Sequence, residues 1–385
     1  MRLLKIGVYY TTYLEQFYAR RPGLAAETYA AQHEALIDDC FGSSDFWTRE
    51  LSRLGYETRD LIINAEHLQR AWAVEHGLAF DEKNWLFGIT EAQVRDFRPD
   101  VLVVADYSTV TAAFLRRLRD VCPSLRLVLG WCGAPYFDGS VFAEWDVVLS
   151  CVPELVARFR ADGHRCRHVN HAFEPRVLDK LGERADATAA DFVFVGSLVK
   201  SERFHLGREK LLARLVAETD LQIWSEVGPP PPSRLQRAAR LLRGGATTTQ
   251  ARPSVDASVA RRARPPLFGL DMFRQLRAGR VALNTHIDIS THSASNMRLF
   301  EATGVGACLL TDSKENLREL FEPDAEVVAY RDADECVEKV NYLLEHESRR
   351  RDIAAAGQRR TLREHTFASR AALVDDIIRE ELSND

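Results

Sequence analysis

The stretch Ser293-Ala-Ser-Asn-Met-Arg-Leu-Phe-Glu-Ala-Thr-Gly-Val-Gly-Ala-Cys-Leu-Leu-Thr-Asp312 joins a polar start, a segment of helical period and a short apolar run. Its spacing predicts a helix over 296–303 and a strand over 307–310. Gly304 and Gly306 suit the turn between these two elements. A helix that leads directly into a buried strand is typical of a mainly parallel sheet.

The same alternation continues in both directions along the chain. In the first half it predicts strands at 5–9, 58–63, 101–105, 126–129 and 146–150, and helices at 32–54, 92–97, 112–122 and 154–162. In the second half it predicts strands at 192–195, 221–224, 281–284 and 307–310, and helices at 208–219, 270–278, 296–303 and on to the end. Strands that alternate with helices indicate an α/β fold of doubly wound, Rossmann-like sheets.

Length and composition predict two domains in a globular enzyme. The 385 residues exceed the roughly 250–300 at which one hydrophobic core stops growing. We expect an N-terminal domain over 1–175, a C-terminal domain over 190–365, and a last helix over 366–385 that packs back on the first domain. The net charge of −5 argues against nucleic acid as a partner. The seven cysteines include no CxxC pair, and no apolar run is long enough to span a membrane, so we expect a cytoplasmic location.

An interruption of the pattern extends from about 228 to 266. It begins with the prolines of 229–232 and continues with arginines at every third position from Arg234 to Arg243. This spacing is typical of a small basic amphipathic helix that contacts the inner face of a membrane or an anionic acceptor. The simpler alternative is a solvated charged insertion.

Two charged side chains in the opening stretch are candidates for chemistry. Ser295 or Asn296 can cap the helix that follows, which leaves its first N–H groups free to meet a phosphate. Arg298 and Glu301 share one helical face, where a cation can meet a phosphate and a carboxylate can accept from two sugar hydroxyls. The alternative is an Arg–Glu pair on the surface of an amphipathic helix.

The segment 267–367 resembles the C-terminal domain of family-1-like glycosyltransferases, especially the spore-maturation-protein (CgeB) type, and more distantly glycosyltransferase family 4. The resemblance lies in Leu-Asn-Thr-His at 283–286, Asn-Met-Arg-Leu-Phe-Glu at 296–301, Leu-Leu-Thr-Asp at 309–312 and Glu-His-Thr-Phe-Ala-Ser-Arg at 364–370. It implies the GT-B architecture, in which two Rossmann-like domains face a central cleft. Family 4 has a second glutamate eight positions before Glu301, whereas this chain has Ser293 there. The stereochemical outcome therefore stays open.

The resemblance also implies the roles of individual residues. Glu301 would bind the nucleotide ribose, while Asn296 and Arg298 would contact the diphosphate and the sugar. Gly196 and Ser197 resemble the glycine turn that opens the second GT-B domain. The full set of implied donor-binding residues is Gly196, Ser197, Lys200, Arg203, Asn284, His286, His292, Ser295, Asn296, Arg298 and Glu301. GT-B enzymes neutralise phosphates with helix dipoles and basic side chains, so neither a metal nor another cofactor is expected.

The N-terminal domain would bind the acceptor, a glycan, a lipid-linked molecule or another hydroxyl compound. The loops 10–13, 106–109 and 131–138 follow predicted strands, where open α/β sheets bind ligands. Asp106, Asp138 and His171 are the candidates for a catalytic base; each aspartate is also a common turn or cap residue.

Three functions are consistent with these features. The first is sugar transfer from a nucleotide-sugar donor, with UDP as the usual nucleotide of the family. The second is a nucleotide-sugar epimerase or hydrolase of the same fold, since fold does not determine function. The third is a non-catalytic nucleotide-sugar-binding protein.

Overall fold

The structure, a computed structural model, describes residues 1–136, 138–183, 190–198, 205–227 and 255–383. The chain divides into two compact units. Unit 1 consists of Met1–Glu174 together with Glu364–Asp385, and unit 2 consists of Pro175–Arg363. Among the described residues, none of the helices combines the length and the apolar character that crossing a membrane requires.

Unit 1 is built on a six-stranded parallel sheet. Its strands are β1 Arg2–Gly7, β2 Glu57–Ile62, β3 Val101–Val104, β4 Leu127–Trp131, β5 Val147–Ser150 and β6 Cys166–His168. They lie in the order β2-β1-β3-β4-β5-β6, so the direction of winding reverses between β1 and β3. The predicted doubly wound sheet is confirmed. The predicted count of five strands is wrong, because β6 is a polar three-residue strand with no apolar run to reveal it.

Helices alternate with the strands of unit 1 along the chain. Before the chain enters unit 2, these are α1 Thr11–Ala19, α2 Tyr29–Asp38, α3 Phe46–Arg53, α4 Glu66–Glu75, α5 Trp85–Phe97, α6 Ala112–Val121 and α7 Pro153–Ala161. The single helix predicted over 32–54 is wrong. It is broken between α2 and α3, where Cys40, Gly42 and Ser44 have left-handed φ angles of 56°, 60° and 34°. The helical period persists across such a break, since only the backbone changes direction.

A buried ion pair joins the first two strands of unit 1. Lys5 on β1 lies opposite Asp60 on β2, and the Lys5 Nζ to Asp60 Oδ1 distance is 2.7 Å. Both side chains are less than a tenth exposed. The Lys5 ammonium also donates to the Ser44 carbonyl, and the Thr48 hydroxyl donates to the second Asp60 oxygen. The pair therefore ties β1 and β2 to the segment that enters α3.

Unit 2 contains a second six-stranded parallel sheet. Its strands are β7 Ala190–Val195, β8 Gln222–Trp224, β9 Ala263–Arg264, β10 Gly279–Asn284, β11 Cys308–Asp312 and β12 Val328–Tyr330. They lie in the order β12-β11-β10-β7-β8-β9, which is the strand order of the Rossmann fold. The winding reverses between β7 and β10, and ligands of open α/β sheets bind at the carboxyl ends of the strands at such a point.

The helices of unit 2 are α8 Arg176–Leu181, α9 Leu206–Glu218, α10 Ala257–Arg262, α11 Gly269–Ala278, α12 Arg298–Gly304, α13 Leu317–Leu320, α14 Ala333–Glu345 and α15 Glu347–Glu364. Of the interruption predicted at 228–266, residues 228–254 lie outside the described residues. The rest of it contains regular secondary structure: Asp256 caps α10, and β9 pairs with β8. The predicted end of the interruption at 266 is therefore wrong. The sequence pattern missed β9 because the strand has only two residues.

The helix α16, Phe367–Ser383, returns to unit 1. Its buried side chains Ala371, Val374, Ile377 and Ile378 share one apolar cluster with β4 and β5. Two polar contacts reinforce this packing. The Tyr56 hydroxyl donates to Asp375 Oδ1 at 2.6 Å, and Arg165 Nη1 lies 2.7 Å from Glu381 Oε2.

Candidate functional site

Several hydrogen-bonded polar residues of unit 2 lie at the carboxyl ends of β7, β10 and β11. One buried arginine, Arg208 on α9, connects the loops that follow β7 and β10. Its Nη1 donates to the Ser197 carbonyl at 2.8 Å, and its Nη2 donates to the Thr285 carbonyl at 2.7 Å. Because these loops flank the point where the winding reverses, Arg208 spans the position at which a ligand of this fold would bind.

The environment of Arg208 is unusual for a cation. Burial lowers the pKa of its guanidinium to about 10, and its Nη1 lies 3.0 Å from the His205 ring nitrogen. Burial and the nearby arginine also lower the pKa of His205 to about 3, so that imidazole is neutral. No motif of the sequence points to Arg208. The available signal was its place in the first turn of the helix that follows the predicted glycine turn.

The pair of His286 and Asp312 joins β10 to β11. The His286 Nδ1 to Asp312 Oδ1 distance is 2.7 Å, and the His286 backbone N–H donates to the same carboxylate at 3.1 Å. Lys314 Nζ lies 3.3 Å from Asp312 Oδ2 and donates to the Ser290 carbonyl at 2.7 Å. The His286 side chain is 1% exposed. The residue is thus held at two points, its backbone N–H and its ring Nδ1, and the Asp312 carboxylate fixes the orientation of the ring.

The charge state of Asp312 follows from these contacts. Burial by itself would raise the pKa of Asp312, but the interactions with His286 and Lys314 lower it from 3.8 to about 2. A carboxyl whose pKa is lowered on folding stabilises the fold above its unfolded pKa of 3.8, and this stabilisation is lost as the pH falls through about 2.

Asp312→Asn is therefore expected to destabilise the protein by roughly 2 kcal/mol at about pH 6, and by much less at about pH 2. Urea unfolding of both proteins across this pH range measures the difference. Asp220→Asn is the matched control, since Asp220 belongs to the same unit and its side chain is almost fully exposed. A difference between wild type and Asp312→Asn that does not change with pH contradicts the prediction.

Two asparagines connect the end of β10 to the segment before α12. Asn296 Nδ2 donates to Asn284 Oδ1 at 2.7 Å, and Asn284 Nδ2 donates to Thr311 Oγ1 at 2.9 Å. The prediction that Ser295 or Asn296 caps the helix is wrong. The residue before α12 is Met297, no side chain caps the helix, and Ser295 Oγ lies 3.1 Å from Ser290 Oγ. The Asn296 amide thus bonds to Asn284 across the loop and does not cap α12.

Arg298 and Glu301 form an ion pair on α12. The Arg298 Nη1 to Glu301 Oε2 distance is 2.7 Å, and the two side chains are 17% and 9% exposed. Arg298 also contacts the Met272 sulfur at 2.8 Å. The alternative of a surface pair is therefore wrong, because the pair is largely buried. Burial raises the pKa of the Glu301 carboxyl, and the Arg298 charge partly offsets this rise.

The turn after β7 contains Gly196 and Ser197, which were predicted to bind the donor. The Gly196 N–H donates to the Trp224 carbonyl at 3.1 Å, and a Cβ on Gly196 would lie 2.9 Å from the Phe194 ring. The Phe194 ring also lies beneath the Arg208 guanidinium, whose carbon is 5.9 Å from the ring centroid. The glycine therefore allows Phe194 to pack under this arginine. Lys200 and Arg203 lie outside the described residues.

Not all of the predicted donor residues come together. His292 Nδ1 lies 2.9 Å from Glu315 Oε1, and both side chains are more than half exposed. By contrast, Asn284, His286, Asn296 and the Arg208 contacts meet around Thr285. Within the described ranges, no group of three or more His, Cys, Asp or Glu side chains is arranged to hold a metal ion.

A carboxylate occupies the N-terminus of α9. The Leu206 N–H donates to Asp288 Oδ2 at 2.8 Å, and the Gly207 N–H donates to Asp288 Oδ1 at 3.3 Å. Asp288 belongs to the same loop as His286. Since α9 has 13 residues, its dipole favours a negative group at this end. The loop after β10 is thus fastened to α9 by both Asp288 and Arg208.

In unit 1, the two candidate aspartates accept hydrogen bonds from residues of their own loops. Asp106 Oδ1 accepts from the Thr109 N–H at 2.6 Å, and its Oδ2 accepts from the Ser108 hydroxyl at 2.9 Å. Asp138 Oδ1 accepts from the Ser140 N–H at 2.8 Å, and this bond lowers the pKa of Asp138. These are the contacts of turn residues. A catalytic role for either residue stays a prediction.

His171 lies in a different setting, at the segment that follows β6. Its ring centroid is 5.0 Å from that of Trp131, at the end of β4. Burial, assisted by the charge of Arg370, lowers the pKa of His171 to about 3. The imidazole is therefore neutral at physiological pH, but so low a pKa makes it a weak proton acceptor, since a general base works best with a pKa near the operating pH.

Comparisons with known proteins agree with this geometry. The family model described as "Glycosyl transferase-like" matches residues 208–376. No curated protein matches the chain in sequence. Among solved structures, sucrose-phosphate synthase from Thermosynechococcus elongatus has 12% identity and a TM-score of 0.58, with 100% of each chain covered.

Two further structures are similar along their whole length. A glycosyltransferase from Rickettsia africae has 10% identity and a TM-score of 0.56, with 100% of this chain and 99% of that chain covered. Anabaena HepE in complex with UDP-glucose has 11% identity and a TM-score of 0.56, with 99% and 100% covered. At such identities the likeness concerns the fold. Residues 208–376 are therefore similar to a glycosyltransferase-like family, and the chain as a whole has the GT-B fold of two Rossmann-like units.

Proposed function

We propose that the protein is a glycosyltransferase that moves a sugar from a nucleotide-sugar donor to a hydroxyl group of an acceptor. The observation that supports this most directly is the polar cluster at the reversal point of the second sheet. There, the segment that is similar to a glycosyltransferase-like family places Arg208, His286, Asp312 and the Arg298–Glu301 pair at the strand ends. Buried polar groups are costly, and groups with perturbed pKa values cluster at functional sites.

The donor chemistry accounts for the buried glutamate. The Glu301 carboxylate can accept hydrogen bonds from two adjacent ribose hydroxyls, and Arg298 holds that carboxylate in place at 2.7 Å. Asn296 and the basic groups around Asp312 would contact the diphosphate or the sugar. In this proposal basic side chains supply the positive charge for the leaving diphosphate, and no metal ion takes part. UDP is the first nucleotide to test, since HepE has been solved with UDP-glucose.

Unit 1 would bind the acceptor, which we propose to be a glycan or a lipid-linked hydroxyl compound. The loops that follow β1 and β3 flank the reversal point of its sheet. Asp106, Asp138 and His171 stay its candidate bases. A peripheral membrane contact through 229–265 stays a prediction, and most of that segment lies outside the described residues.

Ligand-induced stabilisation tests the donor site, because a molecule that binds only the folded state raises the apparent stability. We would record thermal unfolding with UDP, GDP, dTDP and CMP and with their common sugar conjugates. We expect one nucleotide and its conjugates to raise the midpoint selectively. Absence of a shift with every compound would overturn the proposal.

Turnover separates transfer from the other functions of this fold. With the donor that binds, release of the nucleoside diphosphate is measured with and without candidate acceptors. Transfer predicts release that depends on the acceptor. Release without acceptor indicates a hydrolase, conversion of the sugar without release indicates an epimerase, and binding without turnover indicates a non-catalytic protein.

A further inference from the structure

The side chain of His286 has one ring nitrogen that is satisfied and one that is not. Nδ1 faces Asp312 Oδ1 at 2.7 Å, and since that carboxylate is an acceptor, Nδ1 carries the proton. Nε2 is buried and has no hydrogen-bond partner among the residues that the structure describes. Buried polar atoms of proteins are nearly always paired, so an unpaired one in a candidate site requires an explanation.

The surroundings of His286 determine what Nε2 can bind. Lys314 Nζ lies 3.3 Å from the second Asp312 oxygen, so the carboxylate already has a cationic partner. A neutral imidazole with its proton on Nδ1 presents a lone pair at Nε2 and accepts a hydrogen bond there. The diphosphate of a nucleotide sugar has no hydrogen to donate at neutral pH. Its sugar and ribose hydroxyls do.

We infer that His286, held by Asp312, accepts a hydrogen bond from a hydroxyl of the sugar that is transferred, and so determines which sugars the enzyme uses. This inference rests on the proposed donor site. The ribose is assigned to Glu301 on α12, whereas His286 lies in the loop after β10 that Arg208 ties to the loop after β7. A site that pairs a buried acceptor with a substrate hydroxyl strongly rejects analogues that lack this hydroxyl.

Two substitutions separate the ring nitrogens. His286→Asn retains an N–H near the position of Nδ1, so it can still donate to Asp312, but it lacks any atom at the position of Nε2. His286→Gln places an amide oxygen near the position of Nε2 and loses the contact to Asp312. The asparagine variant should therefore keep the fold and lose the sugar contact, whereas the glutamine variant should recover part of that contact.

Calorimetry with UDP and UDP-glucose, or with the nucleotide and conjugate that wild type binds best, tests the inference. For His286→Asn we expect affinity for the sugar conjugate to fall at least about tenfold, and affinity for the free nucleoside diphosphate to change by less than about twofold. For His286→Gln we expect a smaller loss for the conjugate. With the deoxy analogue that lacks the contacted hydroxyl, wild type and His286→Asn should bind alike.

Failure of the proposed function and failure of the inference about His286 give different results. If wild type binds no nucleotide or conjugate, the proposed function fails and this inference fails with it. If wild type binds the conjugate but His286→Asn binds it equally well, or loses both ligands to the same degree, the proposed function stands and the role of His286 in reading the sugar is overturned. Thermal unfolding of the unliganded variants shows whether each one is folded.

Discussion

Replacing Glu301 by alanine is expected to lower the affinity for the nucleotide donor about a hundredfold, and the rate of transfer at low donor concentration by the same factor. Two hydrogen bonds from hydroxyls to a buried carboxylate contribute roughly 1.5 kcal/mol each, and about 1.4 kcal/mol corresponds to a factor of ten. Calorimetric titration of wild type and variant with the donor measures the first effect, and initial rates measure the second.

The ion pair on α12 makes a matched set of variants necessary. Removal of Glu301 leaves Arg298 largely buried without its carboxylate, so Glu301→Ala should also lose stability. Glu301→Gln retains the shape and one acceptor oxygen and should bind the donor with intermediate affinity. Glu322→Ala removes an exposed Arg–Glu pair of the same unit and should leave binding unchanged. If the folded Glu301 variants bind the donor like wild type, Glu301 does not bind the ribose.

Lys5→Met is expected to destabilise unit 1 by about 3–5 kcal/mol. The substitution leaves the Asp60 carboxylate buried between β1 and α3 with a hydroxyl of Thr48 but without its cation. Removing one partner of a buried ion pair costs far more stability than replacing both partners by apolar residues, because the remaining charge is left buried without compensation. Urea unfolding followed by tryptophan fluorescence measures the change.

Two further variants test the cause of this loss. Glu57→Gln breaks the pair of Arg2 and Glu57, which joins the same two strands but is exposed on both sides, and it should change stability by less than about 1 kcal/mol. Lys5→Met combined with Asp60→Leu removes both charges and should recover most of the stability. A double variant no more stable than Lys5→Met would show that the loss comes from packing and not from the uncompensated charge.

Most of the fold could be predicted from the sequence because its strands are apolar runs. Val101–Val104 and Cys308–Asp312 are buried along nearly their whole length, and composition alone reveals such strands. Cys166–His168 and Ala263–Arg264 are short edge strands whose pairing depends on a neighbour, and no local pattern encodes them. The break between α2 and α3 was missed because it changes backbone angles at Cys40 and Ser44 without changing the helical period.

The residues of the candidate site that belong to a recognisable sequence motif could be predicted. Glu301, Asn296 and His286 stand in motifs of the resembling family, and the structure brings them to one edge of the second sheet. Arg208 and Asp288 were not predictable, since their importance arises from contacts with residues about 80 positions away. The capping role assigned to Asn296 failed for a related reason: its amide has a partner in Asn284, which only the folded sheet places within reach.

The path of the chain through the two units has a consequence for biosynthesis. The chain leaves unit 1 after Glu174 and re-enters it at Glu364. A ribosome therefore finishes all of unit 2 before it finishes unit 1, although the strands of unit 1 are made first. Until α16 emerges, the apolar side chains of β4 and β5 that it covers stay open to solvent. Unit 1 of the nascent protein is therefore still incomplete while unit 2 folds. We expect chaperones and proteases to act on this incomplete unit 1.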